Sequence, residues 1–231
     1  MKKILFFLGY FSTPVVPIVL YQASLGWPGG AYSASVALGV AAFVFLANQF
    51  VLASRPRFAV ETLGLKALLK FHGTMPVVAL ALAAAHRVLK IGVSPALGDG
   101  LLGRGLGFSE DTLQASFGGA GFWVFAGLVV FTALLMANTF WMKLGALKKA
   151  KDWVYAKTGL DYRRARLLHN AAIVGGLVIL VHALLASSSA FGANPFGAAW
   201  LAVWLLGSLA LYARYKLKGA AAKPGARAAT E

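Results

Sequence analysis

Six long apolar runs separated by short polar ones set the pattern of the chain: residues 4–23, 35–54, 68–89, 122–144, 167–187 and 196–215. Each approaches the ~20 residues that a helix needs to cross a hydrocarbon layer about 30 Å thick. The pattern predicts an all-α membrane protein, a six-helix transmembrane bundle forming one domain over residues 1–217. An Ala/Gly/Lys-rich tail over 218–231 is expected to be disordered and cytoplasmic. Asn48 and Gln49 in the second run and Asn138 in the fourth are expected to face other helices, because an unpaired amide in lipid is costly.

The charges lie between the runs. All but three of the 22 Lys and Arg residues fall at the amino terminus, in the second connection (Arg55, Arg57, Lys66, Lys70), in the fourth (Lys143 to Arg166) or in the tail. The first and fifth connections carry none. Under the positive-inside rule this asymmetry puts both termini in the cytoplasm, and it accounts for the net charge of +15 without a nucleic-acid partner. Lys2-Lys3 followed by Ile4 to Leu8 resembles the start of a signal peptide, but the apolar run continues past Pro14 and Pro17 and reads as a first membrane helix. Connections one (22–34) and five (188–195) read as polar turns. The third, from 91 to about 121, is the long outer connection, with Ser109-Glu110-Asp111-Thr112 starting a short surface helix.

Composition narrows the chemistry. A hydrophobic content of 59% fits a chain that lives in lipid. The absence of cysteine removes disulfides, Cys-bound iron–sulfur clusters, thioether-attached haem and thiolate chemistry. Any metal or haem must be held by nitrogen or oxygen.

Only four histidines are present, and all bracket apolar runs: His72 and His86 in the third segment, His169 and His182 in the fifth. A 14-residue helical step spans ~21 Å and returns to within about 40° of whole turns, so His72 and His86 share a face. With both helices running outward, His72 and His169 occupy the inner level and His86 and His182 the outer. A histidine within a membrane span is expensive unless partnered, and so marks a functional site by default; a hydrogen bond to a neighbouring helix is the other use of such a ring. Zinc gathers four ligands at one point. Paired imidazoles in two layers suit two haems b instead, each with two nitrogen ligands and hence built for electron transfer rather than direct oxygen binding.

The second step is 13 residues and leaves His169 and His182 roughly 140° apart on an ideal helix. Local tightening or bending near Gly175 and Gly176 would reduce that angle. Pro76 cannot donate to the carbonyl of His72, which predicts a bend beside this ligand, and Gly73 leaves room for a porphyrin face.

Haem propionates need cations, and a guanidinium can clamp a carboxylate with two bonds. Arg87, beside the outer ligand, and Arg55 and Arg57, at the inner level with Lys66 and Lys70, are the candidates. For the inner group the positive-inside bias is an equal explanation. The run from Lys148 to Lys157, with Trp153 and Tyr155, suits an acidic soluble partner or a flavin phosphate, and suits anionic lipid as well. Gly98-Asp99-Gly100-Leu101-Leu102-Gly103 spells a dinucleotide fingerprint, but no strand precedes it and it reads as a loop. Asp99, Glu110 and Asp111, the outer carboxylates, suit ferric iron or a cationic partner, or plain solvation.

Arg55-Pro56, Glu61-Thr62-Leu63, His72, the 14-residue step to His86-Arg87, then Tyr162 through His169 and the 13-residue step to His182 resemble the ferric reductase-like transmembrane domain shared with NADPH oxidases. The resemblance covers about residues 55–187. It implies an oxidoreductase component in which His72 with His169, and His86 with His182, ligate an inner and an outer haem between the third and fifth helices, electrons crossing outward. Ferric reductases and oxidases continue into flavin- and NADPH-binding domains, whereas a short tail follows Leu217 here. The implied donor is a separate cytoplasmic flavoprotein, reduced FMN or FAD, or a quinol. In size the chain is similar to the haem subunits of bacterial periplasmic methionine sulfoxide reductase systems, which implies the bacterial inner membrane and a periplasmic redox partner. Ferric chelates, flavin and oxygen are further implied acceptors. Two readings stay open: a quinol-linked b-type cytochrome subunit of a respiratory complex, and a non-redox transporter or scaffold using its histidines for protons or helix contacts.

Overall fold

A computed structural model describes residues 1–93, 110–133, 145–159, 162–186 and 194–221. Among the described residues there are helices and no strands: α1 (Lys2–Ser12), α2 (Val15–Ser24), α3 (Gly30–Ala53), α4 (Arg57–Leu63), α5 (Leu65–Val93), α6 (Glu110–Phe131), α7 (Gly145–Thr158), α8 (Tyr162–His169), α9 (Ala171–Leu185) and α10 (Pro195–Ala221). Six stretches of the described residues are long and apolar enough to cross a membrane: Lys2–Ser24, Gly30–Ala53, Leu65–Lys90, Leu113–Phe131, Arg164–Leu185 and Pro195–Lys218. The chain is thus an all-α, multi-pass membrane protein. Asn138, the glycine-rich run 98–103 with Asp99, residues 188–193 of the fifth connection and residues 222–231 of the tail lie outside the described residues.

Two boundaries differ from the sequence pattern. The fourth span begins at Leu113 rather than near residue 122, and Glu110 opens the same helix instead of a separate surface one. Gln114, Ser116, Gly118 and Gly119 lower the local hydropathy and disguise this stretch as loop, yet small residues are what close helix packing in a membrane uses. Part of the expected third connection is therefore helical, since α5 runs to Val93 and α6 begins at Glu110. At the other end α10 carries through Lys218 to Ala221, so the tail begins later than residue 218.

The chain divides into two compact units, Met1–Leu89 with Ser187–Glu231, and Lys90–Ala186. In the first unit the opening span is broken at Thr13-Pro14. Pro14 has no N–H to give to the carbonyl of Tyr10; Thr13 Oγ1 donates there instead, at 2.7 Å. The same hydroxyl accepts from Asn48 Nδ2 of α3 at 2.9 Å, and Asn48 Oδ1 accepts from Trp204 Nε1 of α10 at 2.9 Å. Asn48 and Gln49 are 3% and 8% exposed, facing neighbouring helices as expected. Gln49 donates to the Tyr10 hydroxyl and to the Phe45 carbonyl at 2.9 and 3.0 Å. Around this polar thread the rings of Tyr10 and Phe45 stack at 5.7 Å, and Phe71 meets Tyr10 edge-on at 4.8 Å. Offset and edge-to-face contacts of this kind add about 0.5–1.5 kcal/mol beyond burial.

In the second unit α6 packs on α9 through glycine. A side chain at Gly175 would press on Val124 and Phe125, and one at Gly121 would strike Ile179. Without a strong hydrophobic drive between helices in lipid, this close approach supplies the dispersion contacts that hold them.

Candidate functional site

All four histidines are described, and each is partly buried. His72 and His86 lie on the uninterrupted helix α5, as their spacing predicts. Leu68, Met75 and Ala79 of α5 are buried in the first unit's core, with Leu82 packed against it. Positions 68, 72, 75, 79, 82 and 86 advance by threes and fours, so both imidazoles belong to this inward stripe rather than to the outward face, where Val88 is 69% exposed. Pro76 falls inside the helix without ending it. A side chain built at Gly73 would meet nothing within 4 Å, so packing within the chain does not require that glycine.

His169 and His182 do not share one helix. His169 is the last residue of α8, and α9 begins at Ala171. Between them Asn170 N donates to the Leu167 carbonyl at 3.0 Å and Ile173 N to the Asn170 carbonyl at 2.9 Å, both i→i+3 bonds. Such bonds wind the chain at about 3.0 rather than 3.6 residues per turn, advancing it about 20° further per residue. The awkward 13-residue step is therefore tightened in the direction that closes the angle. The place is Asn170, not Gly175-Gly176, which lie buried within α9.

The ring nitrogens show what each imidazole can do. In the first unit Nδ1 of His86 lies 2.7 Å from the carbonyl oxygen of Ser35 on α3 and 3.1 Å from Ser35 Oγ, which itself donates to the His86 carbonyl at 3.1 Å. In the second unit Nδ1 of His182 lies 2.8 Å from the carbonyl oxygen of Gln114 on α6. A carbonyl oxygen only accepts, so Nδ1 carries the proton in both rings and the neutral imidazole keeps its lone pair on Nε2. His169 Nδ1 lies 3.2 Å from the hydroxyl of Thr132, which can take either role.

The cations divide. Arg87 is partly buried and follows His86 directly on α5. Arg57 pairs with Glu61 one turn on at 2.7 Å, with its side chain 92% exposed. Arg55 sits at φ 51°, past the end of α3, with its guanidinium 5.9 Å from the ring centre of Tyr215. The run from Lys148 to Lys157 is helical, as α7. The residues missing from the sequence pattern are Ser35, Gln114 and Thr132, the partners of the rings; only their place one span away from a histidine hints at them.

Among the described residues no three of His, Asp and Glu gather at one point. A neutral imidazole with its Nδ1–H on a backbone carbonyl has the form in which histidine ligates a metal, because a metal-bound histidine typically gives its other N–H to a carbonyl, carboxylate or water. No protein-family model, no curated protein and no solved structure matches this chain.

Proposed function

We propose that the chain is a b-type cytochrome that carries electrons across a membrane, with His72 and His169 holding an inner haem and His86 and His182 an outer one. The observation that carries this reading is shared by the two outer imidazoles: each has Nδ1 against a backbone carbonyl, which takes the Nδ1–H and leaves the lone pair of the neutral ring on Nε2. Ring pairing by level follows from the order of the spans. Bound haem supplies a one-electron ferric/ferrous couple, saturated by two nitrogens and so confined to outer-sphere transfer.

The chain's own residues supply the rest. The carbonyls of Ser35 and Gln114 fix ring orientation and make Nε2 a stronger donor, and the apolar helices exclude water. Arg87, partly buried beside His86, is the candidate cation for an outer propionate. Arg57, the candidate for an inner one, is paired with Glu61 and solvated. The Lys/Arg-rich side, cytoplasmic by charge bias, receives electrons from a separate flavoprotein, reduced FMN or FAD, or a quinol; a ferric chelate, flavin, oxygen or periplasmic reductase takes them outside. The bacterial inner membrane is the location this implies.

The test is transfer itself. Liposomes carrying the haem-loaded chain, with dithionite-reduced flavin trapped inside, reduce external ferricyanide faster than protein-free liposomes, and His86→Leu removes the excess. Equal rates with and without the chain overturn the proposal.

A further inference from the structure

The two outer histidines share a second feature, independent of their hydrogen bonds. A Cβ built on Gly39 would lie 2.8 Å from Nδ1 of His86, and one built on Gly118 would lie 2.6 Å from Nδ1 of His182. Both distances are closer than real side-chain contacts allow. Gly39 stands four residues after Ser35 on α3, and Gly118 four residues after Gln114 on α6. That spacing has a geometric cause. In an α-helix the carbonyl of residue i points along the axis at residue i+4, so a ring reaching that oxygen from the side must cross the place where the side chain of i+4 begins.

We infer that Gly39 and Gly118 are positioning residues: each forms, with the carbonyl four residues before it, a socket that admits one imidazole edge-on, takes its Nδ1–H and turns Nε2 out toward a haem iron. The inference rests on the haem reading for the identity of the metal, though not for the state of the rings. Among the described residues the device occurs in both units, on different helices, with a different residue at the carbonyl position. Ser35 adds a hydroxyl to the first socket. His169, which meets the hydroxyl of Thr132, is held in another way. The sockets therefore set the outer ligands apart: their tautomer is fixed by backbone, which no hydroxyl rotation can reverse.

Gly39→Ala and Gly118→Ala in the purified full-length chain test the sockets. Each is expected to lower the haem content from two per chain to about one, or, where haem is kept, to shift the low-spin electron paramagnetic resonance g values and raise the midpoint potential of one haem as its ligand becomes less basic. Gly127→Ala and Gly207→Ala, at positions where a Cβ meets nothing within 4 Å, are expected to keep both haems and both potentials. Unchanged haem content, g values and potentials in Gly39→Ala and Gly118→Ala overturn the sockets while leaving the haem reading intact. The wild-type chain answers without substitution through the 15N shifts of its rings: Nδ1-protonated, Nε2-unprotonated signals for His86 and His182 are expected, and Nε2-protonated rings overturn the inference. A wild-type chain without haem overturns the haem reading alone, and the 15N shifts then still decide on the sockets.

Discussion

The N–H of Ile173 reaches the carbonyl of Asn170 across 2.9 Å, an i→i+3 bond placed between His169 and His182. It joins α8 to α9 with a turn tighter than either helix, which narrows the angle between two rings 13 residues apart. Inserting one alanine after Asn170 turns α9 by about 100° against α8. With α9 held on α6 by Gly175 and Gly121, His169 swings away from Thr132. The insertion is expected to leave the protein folded and to cost at least one haem, read from the reduced visible spectrum; two haems with an unchanged α band would show that the turn does not set the phase.

Asn48 joins three helices through Thr13 and Trp204. Asn48→Ala removes two interhelical bonds, each worth about 0.6 kcal/mol on average and at most about 1.7 in a membrane. A loss of about 1–2 kcal/mol is expected, lowering Tm in detergent by about 2–8 °C for a chain of this size. A Tm unchanged within a degree would mean that apolar packing between the helices holds the first unit without these two bonds.

Thr132→Val takes the hydroxyl from His169 at nearly constant volume. Removing the outer partner of a metal ligand typically weakens retention about 10- to 100-fold, so faster haem loss to apomyoglobin is expected, with Thr132→Ser close to wild type. Equal loss rates in all three would separate Thr132 from the ligand.

Arg57→Ala breaks an exposed i,i+4 pair with Glu61. Such pairs contribute about 0.3–0.5 kcal/mol, so Tm, haem content and potentials are all expected to stay at wild-type values. Loss of haem in this variant would return Arg57 to the site as a propionate partner.

The six spans are legible in the sequence because each is apolar at the length a bilayer demands, and the 14-residue step from His72 to His86 places both rings on one face of α5 by spacing alone. Hydropathy fails where close packing uses small and polar residues: Gln114, Ser116 and Gly118 look like loop and prove to be the start of a span. The ring partners are illegible for another reason. Ser35 and Gln114 act through their carbonyls, which every residue has, and Gly39 and Gly118 act by lacking a side chain. Asn170 carries no outward sign of a bend, whereas glycine is its usual mark; here Gly175 instead admits Val124 and Phe125.

The most direct measurement is the visible spectrum of the purified chain, oxidised and dithionite-reduced, with a pyridine haemochrome count. Two haems b per chain, each low-spin with a sharp reduced α band, are predicted, falling by half or more in each of His72→Leu, His86→Leu, His169→Leu and His182→Leu. A colourless protein that folds and inserts normally would contradict the account and return the four histidines to proton transfer or helix contacts.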